Sequence, residues 1–230
     1  MRLDQFISKA TGFSRSQCHK LIRQGRVEVQ GLSSAKANFK LSNQAVFLNG
    51  EALSLPEALY LMLHKPAGYV CALSDAQHPT VLDLLELEIA CRENLQIVGR
   101  LDLDTTGLLL LTTDGQWNHR ITSPNSSCHK TYRVTLASPI SDDDIRRLKQ
   151  GVLLKSDTKA TRPCIIHRVN ELEITMQLAE GKYHQVKRML AAVGNCVLNL
   201  HRERIAHLPL DEKLCSGEYR ALTPSEIEAF

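Results

Sequence analysis

At 230 residues, with 43% hydrophobic and 23% charged side chains, the chain has an ordinary globular composition and the length to bury a sizeable core, in one domain or two. Its longest purely aliphatic run, Leu108 to Leu111, falls far short of the roughly 20 residues that a membrane span needs. The start, Met1-Arg2-Leu3-Asp4, has neither the apolar stretch nor the cleavage site of a secretory signal, so a cytoplasmic protein without membrane attachment is expected.

The net charge of +3 is unevenly spread. Residues 1–58 hold eight Lys/Arg against four acids and carry +4, which leaves −1 for residues 59–230. A small basic segment suits a module that touches phosphates, although a solvated basic face looks the same. The seven cysteines are an odd count, and no two lie closer than 19 positions. There is no Cys-x-x-Cys pair, and the spacing predicts reduced, packing thiols rather than a zinc or redox motif.

In chain order, Leu3, Phe6, Ile7 and Ala10 form the stripe of a short amphipathic helix that Gly12 interrupts. Ser14 and Gln17 have capping-box spacing, with Phe13 placed to staple onto Cys18, so a second helix starts there and ends at Gly25. Its outer face presents Arg15, His19 and Arg23, with Arg26 just beyond. Val27-Glu28-Val29 alternates as a strand, and Gly31 and Asn49-Gly50 supply turns. A linker around Pro56 closes this module of residues 1–58.

Short strands and turns dominate residues 59–230. Strands are predicted at Tyr60–Leu63, Gln96–Val98, Leu108–Thr112, Thr131–Leu136 and Glu173–Leu178, with a turn at Asp114-Gly115. Helices are predicted at Val81–Leu87, at Ser141–Gln150 with Ser141 as cap, and at Tyr183–Val193. Without regular β-α-β alternation, the pattern indicates an α+β fold with an antiparallel or mixed sheet.

Several familiar sites are missing. No Gly-x-Gly occurs, so dinucleotide and phosphate-loop fingerprints fail, and no Gly-x-Ser-x-Gly elbow is present. The nine histidines make no His-x-His or His-x-x-x-His pair, so neither a metal nor a cofactor is expected. The densest polar cluster is Gly99-Arg100-Leu101-Asp102-Leu103-Asp104-Thr105-Thr106-Gly107-Leu108. It reads as a turn between strands in which Asp104 bonds local backbone, or as a carboxylate pair for glycosidic chemistry. In an extended segment Asp102 and Asp104 would point to opposite faces, leaving one aspartate to act alone.

This ten-residue stretch resembles the Gly-Arg-Leu-Asp-x-x-[Ser/Thr]-[Ser/Thr]-Gly-Leu motif of the pseudouridine synthases, with Asp102 in the nucleophile's place. Lys65-Pro66-Ala67-Gly68-Tyr69, Lys130-Thr131-Tyr132-Arg133-Val134 and the run Glu180 to Met189 are similar to the family's other motifs. His119-Arg120-Ile121-Thr122-Ser123-Pro124 and His201-Arg202-Glu203-Arg204-Ile205 extend the likeness. Residues 1–58, through Arg2 to Ile7, Ser14-Arg15-Ser16 and Ile22 to Gly31, resemble an alpha-L RNA-binding domain shared with a small-subunit ribosomal protein.

The resemblance implies an α+β chain: the RNA-binding module of two helices plus a small sheet, then a mixed, mainly antiparallel catalytic domain over residues 59–230. It implies isomerisation of a uridine in ribosomal RNA without cofactor or metal, and the chain's size suits an enzyme that works as a monomer. The short acidic end, Pro224 to Phe230, and the overall likeness favour small-subunit RNA; a large-subunit target and a non-catalytic RNA binder are the alternatives. Asp102, Tyr132 and Lys187 are implied as catalytic. Tyr132 would stack on the flipped uracil and assist proton removal at carbon 5, and Lys187, rather than its neighbour Arg188, would keep Asp102 ionised in a largely dry pocket. Arg100, Arg15, His19, Arg23, Arg26, Lys65 and Arg188 are implied as RNA contacts.

Overall fold

The computed structural model describes residues 1–90, 94–123, 126 and 128–230, so Pro124 and Cys91 lie outside the described residues. The chain divides into two compact units, Met1–Ala58 and Leu59–Phe230.

The first unit opens with α1 (Leu3–Thr11) and α2 (Arg15–Arg23). A small antiparallel sheet follows, of β1 (Val27–Val29), β2 (Val46–Leu48) and β3 (Glu51–Leu53). Ser14 caps α2 through a full capping box with Gln17, and Gly25 takes the left-handed conformation beyond the helix end, at φ 69°. Leu3 and Ile7 of α1, Cys18 of α2, Val29 and Val46 make the core. Asp4 is buried in this unit, accepting hydrogen bonds from Arg2, from His19 and from the Gln5 N–H. Burial alone would raise its pKa, but these partners win and hold it at about 2.

The second unit runs through β4 (Tyr60–Lys65), a 3-10 turn at Val81–Leu84, and α3 (Leu87–Ala90). Next come β5 (Gln96–Val98), β6 (Thr106–Thr112), α4 (Gly115–Thr122), β7 (Lys130–Leu136) and α5 (Asp142–Gln150). It is completed by β8 (Ile165–Asn170), β9 (Glu173–Leu178), α6 (Gln185–Ala191), β10 (Val197–Ile205), β11 (Leu208–Pro209), β12 (Tyr219–Ala221) and α7 (Pro224–Glu228). The main sheet has the order β12-β4-β6-β10-β7-β9-β8, with β5 beside β6 and β11 beside β10. Its described pairings are antiparallel except β6 with β10. No helix among the described residues is long and apolar enough to cross a membrane.

The leucine run of β6 is buried on both faces, which explains why it is continuous rather than alternating. Leu108 and Leu110 pack with Met62, Trp117 and Ile121, whereas Leu109 and Leu111 pack with Leu61, Leu63, Val81 and Leu85. A third cluster joins β7, β9 and β10 to α5 and α6 through Val134, Ile174, Leu148, Met189 and Leu200.

Several elements depart from the sequence reading. Asp114 is a helix cap rather than a turn residue: its carboxylate accepts from Gln116 and Trp117, starting α4. The Val81–Leu87 helix is a single 3-10 turn followed by α3. The helix predicted over 183–193 begins only at Gln185, because His184 has left-handed backbone. The long strand β10 had no sequence expectation.

Candidate active site

The segment joining β5 to β6 is a tight loop held from below by two buried cations. The Thr105 N–H donates to the Asp102 carbonyl at 3.1 Å, closing a turn over Leu103 and Asp104. Lys65, at the end of β4, is 0% exposed, and its ammonium donates to the carbonyls of Pro66, Asp102, Leu103 and Thr105 at 2.8–3.3 Å. Burial pushes its pKa below the ordinary lysine value. From β10, the buried Arg202 guanidinium donates to the carbonyls of Leu108 and Gly99, at 2.8 and 2.9 Å, and more weakly to that of Arg100. Backbone acceptors thus fix the loop, so its carboxylates need not.

The turn overrides the extended geometry assumed for Asp102 and Asp104. Both face one cation, Lys187 of α6, whose Nζ donates to the two oxygens of Asp104 at 2.6 and 2.8 Å and lies 3.6 Å from Asp102 Oδ2. That hydrogen bond is the main reason the Asp104 carboxyl is held below its usual value. On the other side, His184 Nε2 stands 3.5 Å from Asp102 Oδ1. Neither Asp102 contact is a hydrogen bond, so the carboxylate sits between two nitrogens with neither bonded to it. Its side chain is 27% exposed, which corrects the expectation of a largely dry pocket.

A cleft of about 470 Å³, counting its open mouth, begins at this carboxylate. Leu101, Leu178, Val186 and Leu200 give it an apolar floor, Tyr132 of β7 an aromatic wall, and Arg100 an exposed cation at the rim. Thr105 also lines it, and its hydroxyl oxygen is buried without a hydrogen-bond partner among the described residues. A buried polar atom left unpaired costs about 1–3 kcal/mol. Gln185 stiffens the approach, accepting from the Lys182 N–H and donating to Glu180.

Asp102, Tyr132, Lys187 and Arg100 therefore converge. Two other expected residues do not. Lys65 is no RNA contact: its ammonium is fully enclosed and saturated by carbonyls, out of reach of any phosphate. Arg188 points away from Asp102 and donates to Asp157 and to the carbonyls of Lys155 and Tyr183. In the first unit, His19 Nε2 lies 3.0 Å from Asp4, while Arg15, Arg23 and Arg26 are exposed, with Arg23 donating to the His19 carbonyl and Arg26 to Asn49. Sequence reasoning singled out neither His184 nor Arg202; the charged alternation of His201 to Arg204 is a weak signal for a buried arginine.

Residues 59–192 match the family described as RNA pseudouridylate synthase, and residues 1–47 match the S4 domain. The chain belongs to the RNA pseudouridylate synthase family. It is 48% identical to proteins named ribosomal small subunit pseudouridine synthase A from Salmonella typhimurium and Escherichia coli, over 99% of this chain and 98% of each relative. The Vibrio parahaemolyticus protein of that name is 46% identical over 100% of this chain and 99% of its own. A solved structure described as a pseudouridylate synthase superposes with a TM-score of 0.73 at 43% identity, covering 100% of this chain and 99% of that one. Apart from Leu200, the residues lining the Asp102 cleft lie within the stretch that matches the family.

Proposed function

We propose that this protein isomerises a uridine of small-subunit ribosomal RNA to pseudouridine, with Asp102 as the nucleophile. The observation that carries this reading is the Asp102 carboxylate, unbonded between Lys187 and His184, at the mouth of a cleft with an aromatic wall. The relatives' shared name supports the RNA, and the matching S4 domain supports RNA docking by residues 1–47.

The reaction breaks the bond from base to ribose, rotates the uracil and rejoins it through carbon 5. It exchanges one bond for another with no net redox change, so a carboxylate beside carbon 1′ suffices to attack it or to support a glycal-type intermediate. The uridine leaves its stack first, at a cost of a few kcal/mol, and stacking on the Tyr132 ring with Arg100 at the vacated site offsets that cost. Lys187 sets a positive charge 3.6 Å from the carboxylate without bonding it, because Asp104 holds the ammonium in place.

The test is Asp102→Asn. Pseudouridine formation on small-subunit RNA should vanish while RNA affinity stays at the wild-type level; turnover at the wild-type rate sinks the assignment. Mapping pseudouridine in both subunit RNAs of a deletion strain checks the substrate, and loss confined to large-subunit RNA would overturn it.

A further inference from the structure

The titratable side chain nearest Asp102 Oδ1, His184, has no part in that scheme. His184 holds φ 47° and ψ 38°, left-handed backbone that costs a non-glycine residue on the order of 1–2 kcal/mol. The strained backbone places its imidazole 3.5 Å from Asp102 Oδ1. Tyr183, itself 69% exposed, stacks on the ring with centroids 3.8 Å apart and planes at 21°, fixing its orientation. The His184 side chain caps no helix N–H, and among the described ion pairs only the Asp102 carboxylate faces its Nε2.

We propose that His184 Nε2 accepts the proton from carbon 5 of the rotated uracil. The inference rests on Asp102 acting at carbon 1′, and adds the group that finishes the reaction. Carbon 1′ is where the old bond breaks and the new one forms, so in the rejoined intermediate carbon 5 lies one bond from the atom beside Asp102. A nitrogen 3.5 Å from that carboxylate is within reach of the carbon 5 hydrogen.

The rejoined base carries both the ribose and its original hydrogen on carbon 5, with a double bond between nitrogen 1 and carbon 6. The carbon 5–hydrogen bond breaks and its proton passes to His184 Nε2. Its electron pair forms the carbon 5–carbon 6 double bond, and the displaced pair settles on nitrogen 1, which takes a proton from water. The imidazolium then returns its proton to solvent at its exposed edge. Asp102 faces the ring at 3.5 Å and Asp104 interacts with its charge, Lys187 stands on the other side of Asp102, and Arg100, Tyr132, Glu180 and Lys182 line the same cleft. A neutral imidazole carries a basic lone pair on its unprotonated ring nitrogen, whereas a phenol must first lose its proton, which gives the histidine this step and leaves Tyr132 the stacking.

The test uses small-subunit RNA transcripts carrying uridine, 5-deuterouridine or 5-fluorouridine. The last has no proton on carbon 5, so its rearrangement reports every earlier step alone. His184→Asn keeps a residue that tolerates left-handed backbone. It should slow pseudouridine formation about 10²- to 10⁴-fold and enlarge the deuterium effect. It should rearrange the fluorinated RNA at the wild-type rate with unchanged affinity. Wild-type turnover on uridine overturns the proposal, as does equal slowing on the fluorinated RNA, which would place His184 behind Asp102. Asp102→Asn should block both RNAs; rearrangement by that variant would sink the nucleophile assignment instead. His184→Gln, a second variant without a basic ring nitrogen, should separate the two RNAs in the same way, and a wild-type rate on uridine from either folded variant overturns the proposal.

Discussion

A buried ammonium is expensive unless every proton finds an acceptor, and Lys65 meets that condition with four carbonyls, three of them in the Asp102 turn. Lysine is suited to this because its three donors radiate from one atom, while the planar fork of arginine cannot reach the same oxygens. Lys65→Met should therefore cost the second unit about 3 kcal/mol, and lower turnover well beyond any change in RNA affinity. Urea unfolding with a parallel RNA titration checks it; an unchanged midpoint with weakened RNA binding would restore Lys65 as a phosphate contact. The sequence placed Lys65 in the right motif with the wrong role, since a lysine before Pro-Ala-Gly reads as a surface turn and only tertiary packing encloses it. His184 was illegible for a related reason. Its neighbours have helical spacing, so the residue reads as helix interior, and backbone strain leaves no mark in composition or periodicity.

Among the strands, β6 and β10 set the position of the loop. They run parallel, with Arg202 opposite Gly107, and the backbones approach so closely that a Cβ on Gly107 would lie 2.3 Å from the Arg202 carbonyl oxygen and 2.7 Å from its nitrogen. Gly107 also has φ 107°, which side chains rarely adopt. Gly107→Ala should cost at least about 3 kcal/mol or abolish soluble expression, because the obstacle is backbone and cannot rotate aside. Gly181→Ala, where a Cβ meets nothing within 4 Å, is the matched control and should unfold at the wild-type denaturant concentration. Equal midpoints for the two variants would refute the close approach. The leucine run of β6 was legible as a buried strand because apolar continuity reports burial on both faces. In contrast, β10 was not, since Arg202 sits on its buried side next to Leu200, where alternation calls for an apolar residue. The turn at residues 102–105 was legible as a turn, but the meeting of Asp102 and Asp104 at Lys187 depends on α6, more than 80 positions away in sequence.

At the scale of the whole molecule, charge and chemistry are divided between the two units. Residues 1–58 carry the positive excess, whereas Asp102, Tyr132, His184 and Lys187 all belong to residues 59–230. If the first unit supplies phosphate contacts, its exposed arginines should govern the salt dependence of binding and leave the chemical step alone. His19 is a poor member of that set, since its ring is engaged with Asp4. Arg15, Arg23 and Arg26 are exposed, and two of them donate only one nitrogen inward among the described bonds. In the full-length chain, replacing these three with alanine should flatten the plot of log affinity against log salt by about two to three units, since each lost phosphate contact removes roughly 0.7–0.9. The rate at saturating RNA should stay at the wild-type value, because no group near carbon 1′ has changed. A variant with an unaltered salt slope would show that the basic face of α2 is merely solvated. One with normal affinity and a lower saturated rate would tie the module to catalysis instead of docking.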